Sequence, residues 1–364
     1  MSKKTTNLIA GAALAGLLAT SVATTPLFAH DEAKLAKPHI DLAFCIDTTG
    51  SMQGEIENVK AKTKELVAKL AGGKPSPVIR VGLVAYRDKG DQYVTKVFPF
   101  SEDIDGVVKD ITSLKADGGG DAPEAVSEGL HVAVNNLKWS DDAKTLKLLF
   151  LIGDAGPHAD AKDFDYRKEA KSAIAKGIQV NTLGCQGLEA YAEADGVGVF
   201  KEIAKLSDGK YESLAYHQTV IGADGKKTEV IASGGRTYKL KKDADWKAGV
   251  DKLSARGEAE TFASSSSLPG TRLSSFVSAP RGVGYMAGKR AGAPAFYGTA
   301  GGAVRDYAAA APSASTAAFA ADEKSSDGPT AMGVSREENN LADVIFATTK
   351  AAASKKLNVE FKDK

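Results

Sequence analysis

At 364 residues the chain is long enough for one large domain carrying an insertion, or for two small ones. Lys and Arg number 47 against 46 Asp and Glu, a formal charge of +1, so no basic field marks it for nucleic acid. Its 2 cysteines, Cys45 and Cys185, are too few for a disulfide scaffold.

In chain order, the first segment reads as a targeting signal. Lys3 and Lys4 precede an Ala- and Leu-rich run over residues 8–23, and the small Ala29 stands before polar His30, Asp31 and Glu32. That layout predicts a secretory signal peptide over residues 1–29, cleaved after Ala29. Ala, Gly and Thr dilute the run, no Cys follows it, and no comparable stretch recurs. The expectation is an exported protein, periplasmic or extracellular, without a stable membrane span in its mature form.

Residues 38–215 alternate apolar runs with helical periodicity. Residues 42–46 form an unbroken apolar strand, and Met52, Ile56, Val59, Leu66, Val67 and Leu70 follow at helical spacing. Strands are predicted at 78–85 and 93–98, the second so close behind the first that it is expected at an antiparallel edge. Ile104, Val107, Val108, Ile111 and Leu114 mark a helix opened by Ser101, Glu102 and Asp103. Pro123 stands where the next helix would begin, with Val126, Leu130 and Val134 continuing it. Residues 146–152 are the most apolar strand, and 170–175, 178–183, 200–206 and 211–214 add helix, strand, helix, strand. Apolar strands joined by helical crossovers predict an α/β fold: a doubly wound, mostly parallel six-stranded sheet with one antiparallel edge strand and helices on both faces.

Residues 216–256 read as a small β-rich insertion, a hairpin around 223–226 followed by a strand near 237–240 after Gly234-Gly235. Residues 257–335, rich in Ala, Gly and Ser, are expected to be flexible. Within residues 336–364, Leu341, Val344, Ile345 and Thr348 mark a helix expected to pack on the first domain.

Asp47 directly follows the first strand, with Thr49 and Ser51 at steps of two. In a parallel α/β sheet that loop lies at the topological switch point, where ligands bind. Three oxygen side chains on one loop, with Gly50 easing the turn, suit a hard cation such as Mg²⁺ or Ca²⁺; the same side chains would equally cap the following helix. Asp121, after glycines 118–120, and Asp154, after the 146–152 strand, would bring further carboxylates to the same sheet end. Such like charges call for a counter-charge, which a divalent ion supplies. Asp121 before Ala122-Pro123 is also a good helix cap. Tyr86-Arg87-Asp88 reads either as an ordinary ion pair or turn or as a shape for ligand approach, and His158 as a solvated loop residue.

Four motifs in order carry a resemblance: Asp-Thr-Thr-Gly-Ser-Met at 47–52, Tyr-Arg-Asp at 86–88, Gly-Gly-Gly-Asp-x-Pro-Glu at 118–124 and Ile-Gly-Asp-Ala at 152–155. Over residues 39–215 and the last helix the chain resembles von Willebrand factor type A domains, closest to an exported bacterial branch. The resemblance implies a metal-ion-dependent adhesion site in which Asp47, Thr49, Ser51 and Asp154 hold one divalent cation, directly or through water. Thr49 stands where Ser is usual, and Asp121 where the wider family has a Thr ligand. The implied function is protein binding, not catalysis: an open coordination position takes an Asp or Glu of an unknown protein partner. The implied strand order places Cys45 and Cys185 two strands apart, roughly 9.6 Å, beyond the limit of about 7 Å for a disulfide, so two buried thiols are expected.

Enzyme readings fare less well. An aspartic protease needs a second carboxylate loop, and no phosphate loop or nucleophile elbow occurs. A metal-dependent hydrolase would need Glu124 or His158 as its base. A structural envelope protein with a fold-stabilising metal is the remaining alternative.

Overall fold

The computed structural model describes residues 37–119, 123–159, 164–190, 195–221, 227–262 and 333–362. The expected signal peptide, Asp121, the tip of the first hairpin and most of the Ala/Gly/Ser-rich stretch lie outside the described residues. Among the described residues no helix is long and apolar enough to cross a membrane.

The first sheet contains β1 (His39–Asp47), β2 (Val78–Tyr86), β3 (Thr95–Ser101), β4 (Leu146–Gly153), β5 (Ile178–Gly184) and β6 (Tyr211–Ser213), in the order β3-β2-β1-β4-β5-β6. All neighbours are parallel except β2 and β3, which run antiparallel at the edge. Eight of the nine residues of β1 and all eight of β4 are buried, as a sheet covered on both faces requires.

Alternation along β1 divides the core. Ile40, Leu42, Phe44 and Ile46 pack with α1 (Gln53–Ala71), α2 (Ile104–Ser113) and the C-terminal helix α7 (Leu341–Leu357). Ala43 and Cys45 pack with α3 (Val126–Asn135), α4 (Tyr166–Ala175) and α5 (Gly196–Leu206). Each fully buried Ile, Leu or Phe contributes roughly 1.5–3 kcal/mol. Cys45 and Cys185 are free and buried. Asp103 and Asp165 cap α2 and α4 by accepting from Gly106 N (3.1 Å) and Arg167 N (2.9 Å).

A second, antiparallel sheet follows: β7 (Tyr216–Ile221), β8 (Lys227–Ser233), β9 (Arg236–Leu240), β10 (Ala259–Thr261) and β11 (Gly333–Asn339), ordered β10-β9-β8-β7-β11. Gly234 and Gly235 both take positive φ, the conformation a two-residue hairpin needs. The short helix α6 (Val250–Ala255) buries Leu253 against Ile231 and Ala259.

Several local expectations change. The second sheet extends past residue 256, because β10 pairs with β9 and β11 with β7. Residues 333–339 thus form a strand across the expected 335/336 boundary, and the last helix starts only at Leu341. The edge strand begins at Thr95 rather than Tyr93, whose phenol turns inward to Thr48 Oγ1 (2.8 Å). Helix α3 begins at Val126, not Pro123: Glu124 N donates to Gly156 O (2.9 Å) and Ala125 N to Arg87 O (3.1 Å), which holds this backbone in a loop-to-loop pairing.

Candidate functional site

The order of the first sheet reverses beside β1, so the loops after β1 and β4 open on the crevice where α/β sheets take ligands. Asp47 ends β1, and Asp154 follows β4 immediately. Gly153 lets the two strands close here: a Cβ on it would run into Tyr86 Oη and approach Asp47 Cβ to 3.5 Å.

Asp47 is fully buried. Its Oδ1 accepts from Thr49 N (2.8 Å) and Thr49 Oγ1 (2.7 Å), while its buried Oδ2 has no hydrogen-bond partner. Thr49 Oγ1 lies 3.3 Å from Ser51 Oγ, and Ser51 hydrogen-bonds the Asp154 carboxyl. No side chain caps α1 or the single 3₁₀ turn (Gly50–Met52) before it, so capping does not account for these residues. Thr48 points away, donating to Tyr86 O at 2.9 Å.

The glycine loop lies directly on this one. Gly50 N donates to Gly118 O (3.2 Å) and Asp117 N to Thr48 O (3.1 Å). Gly118 and Gly119 have φ of +79° and +76°, and a Cβ on Gly119 would sit 3.2 Å from Thr49 Cβ and 3.3 Å from Glu124 Oε1. The Asp91 carboxylate accepts from Gly119 N (3.0 Å) and fixes the turn. Arg87 fastens both loops, donating to Thr48 O (3.2 Å) and Lys115 O (2.8 Å) with its guanidinium over the Tyr93 ring. Its role is therefore to brace backbone rather than to pair a carboxylate.

A helix opening at Pro123 would contain Glu124, which the sequence offers only as a candidate base. Its side chain instead joins the site, 4 % exposed, with Oε2 buried and unpartnered. Nothing local announces this, because the placement depends on the pairing with Gly156. His158, expected in solvent, pairs through Nε2 with the Asp88 carboxylate.

Burial and mutual repulsion set the electrostatics. Burial pushes Asp47 up to about 7, against the hydrogen bonds from Thr49, with Asp88 and Asp91 adding to the rise. Glu124 is pushed up to about 11 by burial, then by Asp47, Asp88, Asp154 and Asp91. Asp154 rises well above the carboxylate range through burial and then Asp47. Among the described residues no three His, Cys, Asp or Glu side chains form a ready metal cage. The donors are mixed carboxylates and hydroxyls, the hard oxygens that Mg²⁺ and Ca²⁺ take. Two carboxylate oxygens without donors, in a crowd of like charge, fit a divalent cation.

Residues 41–217 match the von Willebrand factor A domain family. The matched span holds the first sheet from Asp41 onward and reaches the start of β7. Residues 41–217 are a von Willebrand factor A domain. The human von Willebrand factor A domain-containing protein 7 is 33% identical over 148 residues, 40% of this chain and 15% of that protein. An ariadne-like RING finger protein of Acanthamoeba polyphaga mimivirus is 28% identical over 144 residues, 40% of this chain and 13% of its own length. The chain therefore spans only a small part of the curated relatives it matches. Among solved structures, BatB from Bacteroides thetaiotaomicron is 19% identical, covering 48% of this chain and 88% of its own, with a TM-score of 0.35. The second sheet beyond His217 lies outside the family match.

Proposed function

We propose that this A domain is an exported protein-binding module that engages an Asp or Glu of a partner through one Mg²⁺ or Ca²⁺. Asp47, Thr49, Ser51 and Asp154 would hold the ion, with Asp121 or Glu124 completing the set from the second loop. The observation that carries the reading is the pair of buried, donor-less oxygens, Asp47 Oδ2 and Glu124 Oε2, at the sheet's switch point. A bound cation would supply positive charge and an exchangeable coordination position for a carboxylate. The chain's own part is to hold the oxygens: Thr49 orients Asp47, Ser51 orients Asp154, and Arg87 braces the loops. The match to A domains, which are often protein-interaction modules, supports the binding role. Export rests on Lys3, Lys4, the 8–23 run and Ala29.

The test is a pull-down from envelope extracts of the source organism with Mg²⁺ or Ca²⁺, repeated in chelator and with Asp47→Ala. Capture that needs both the cation and Asp47 supports the proposal. A cation-dependent rise in melting temperature without any partner would favour the structural-metal alternative, and hydrolysis of generic esters or phosphates the enzyme. Fractionation with N-terminal sequencing tests export, the expected mature terminus being His30.

A further inference from the structure

We propose that Tyr216, the first residue of the second sheet, is a positioning residue that holds the two halves of the metal site together through Glu55 and Gln186. This rests on the metal-site reading above and deepens it.

Tyr216 is 1 % exposed, and its phenol is a node between three segments. Tyr216 Oη donates to Glu55 Oε1 at 2.7 Å and accepts from Gln186 N at 3.0 Å. Glu55 lies in the first turn of α1, four residues after Ser51, and is itself buried. That spacing puts it one turn from Ser51, so a constraint on Glu55 is felt where the loop enters the helix. Gln186 precedes Gly187, which lies on Asp154: a Cβ there would stand 3.4 Å from Asp154 O and 3.5 Å from its Oδ2. One hydroxyl therefore ties the Ser51 side of the site to the loop that covers the Asp154 side.

The node is anchored from behind. Tyr216 pairs with Ala232 in β8 and packs in the same core as Ile56 and Ile345. Its neighbour Ala215 donates to Asn340 Oδ1 (2.8 Å) and accepts from Asn340 N (3.1 Å) at the start of α7. A hydroxyl donating to a buried carboxylate is a strong, charge-assisted bond with a defined direction. Groups that orient the residues around a metal typically alter affinity when removed, without touching the ion. The second sheet, whose first strand begins at the very end of the family match, thereby acquires a role in the site.

The experiment compares the full-length wild type with Tyr216→Phe, titrating Ca²⁺ and Mg²⁺ separately by calorimetry and following amide hydrogen exchange. The variant keeps the ring and loses only the hydroxyl. Its dissociation constant should rise about tenfold or more, with an unchanged circular dichroism spectrum. Exchange should quicken at residues 50–55 and 185–187 but not within β1 and β4. In the wild type, saturating Ca²⁺ should slow exchange at Gln186 and in β7. A folded Tyr216→Phe that binds both cations as the wild type does overturns the tether while leaving the metal site standing. If that variant does not fold, wild-type exchange decides: no cation-dependent protection at Gln186 or in β7 overturns the tether. A wild type that binds neither cation overturns the metal-site reading and this one with it.

Discussion

A carboxylate oxygen buried without a donor destabilises a fold by roughly 1–3 kcal/mol, and Asp47 Oδ2 and Glu124 Oε2 are both so placed. Glu124→Gln puts a neutral amide where burial, then Asp47, Asp88 and Asp154, force the carboxyl to keep its proton, and so removes the cost of that protonation. It should raise the melting temperature in chelator and shrink the increment that Ca²⁺ or Mg²⁺ adds, a trade of function for stability. Scanning fluorimetry reads both numbers, and a loss of stability in chelator with an intact cation increment would make Glu124 an ordinary structural acid. Gly119→Ala tests the loop contact: left-handed φ costs a residue with Cβ about 1–2 kcal/mol, and the new methyl meets Thr49 and Glu124 Oε1. Cation affinity should fall by more than the chelator melting point suggests. Asp47 and Asp154 were readable from sequence because each is a charge set at the end of an apolar strand. Glu124 was not, since its position comes from a backbone pairing with a loop 32 residues away.

At the level of elements, the same contrast separates the two sheets. Strands β1 and β4 are buried on both faces, so their runs of Leu, Ile and Phe stand out in the sequence. Edge strands leave no such mark. Strand β3 is only partly buried, opens on polar Thr95 and Lys96 and carries Pro99, and the apolar Tyr93 before it belongs to the loop, its hydroxyl on Thr48. Strand β11 joins β7 from more than a hundred residues away, a pairing no local pattern announces. The C-terminal helix is visible in the sequence as an apolar periodicity, and its partner is α1, the helix that follows the loop of Asp47, Thr49 and Ser51. Ile345, 3 % exposed in that contact, is the residue to test. Ile345→Ala should cost about 2–5 kcal/mol, measured as a lowered urea midpoint at unchanged slope; a change below about 0.5 kcal/mol would place it at a surface site.

For the whole molecule, a cation that binds only the native state adds stability by mass action, about 2.7 kcal/mol at a hundred times its dissociation constant. For a domain of this size that corresponds to a melting shift of about 5–10 °C, removed by chelator. The pH dependence has a definite sign. In chelator the native state binds protons more tightly than the unfolded chain, because Asp47 moves from 3.8 to about 7 and Glu124 from 4.5 to about 11. The stability these groups contribute is complete below about pH 4, where both states are protonated. It is lost as pH rises through 7 for Asp47 and on toward 11 for Glu124. With saturating Ca²⁺ the trend opposes this, since the ion competes with the same protons and is favoured as pH rises. The gap between the melting temperatures with Ca²⁺ and with chelator should therefore widen from pH 5 to pH 8. A gap that stays constant across that range would separate the cation from these carboxylates and place its binding elsewhere on the protein.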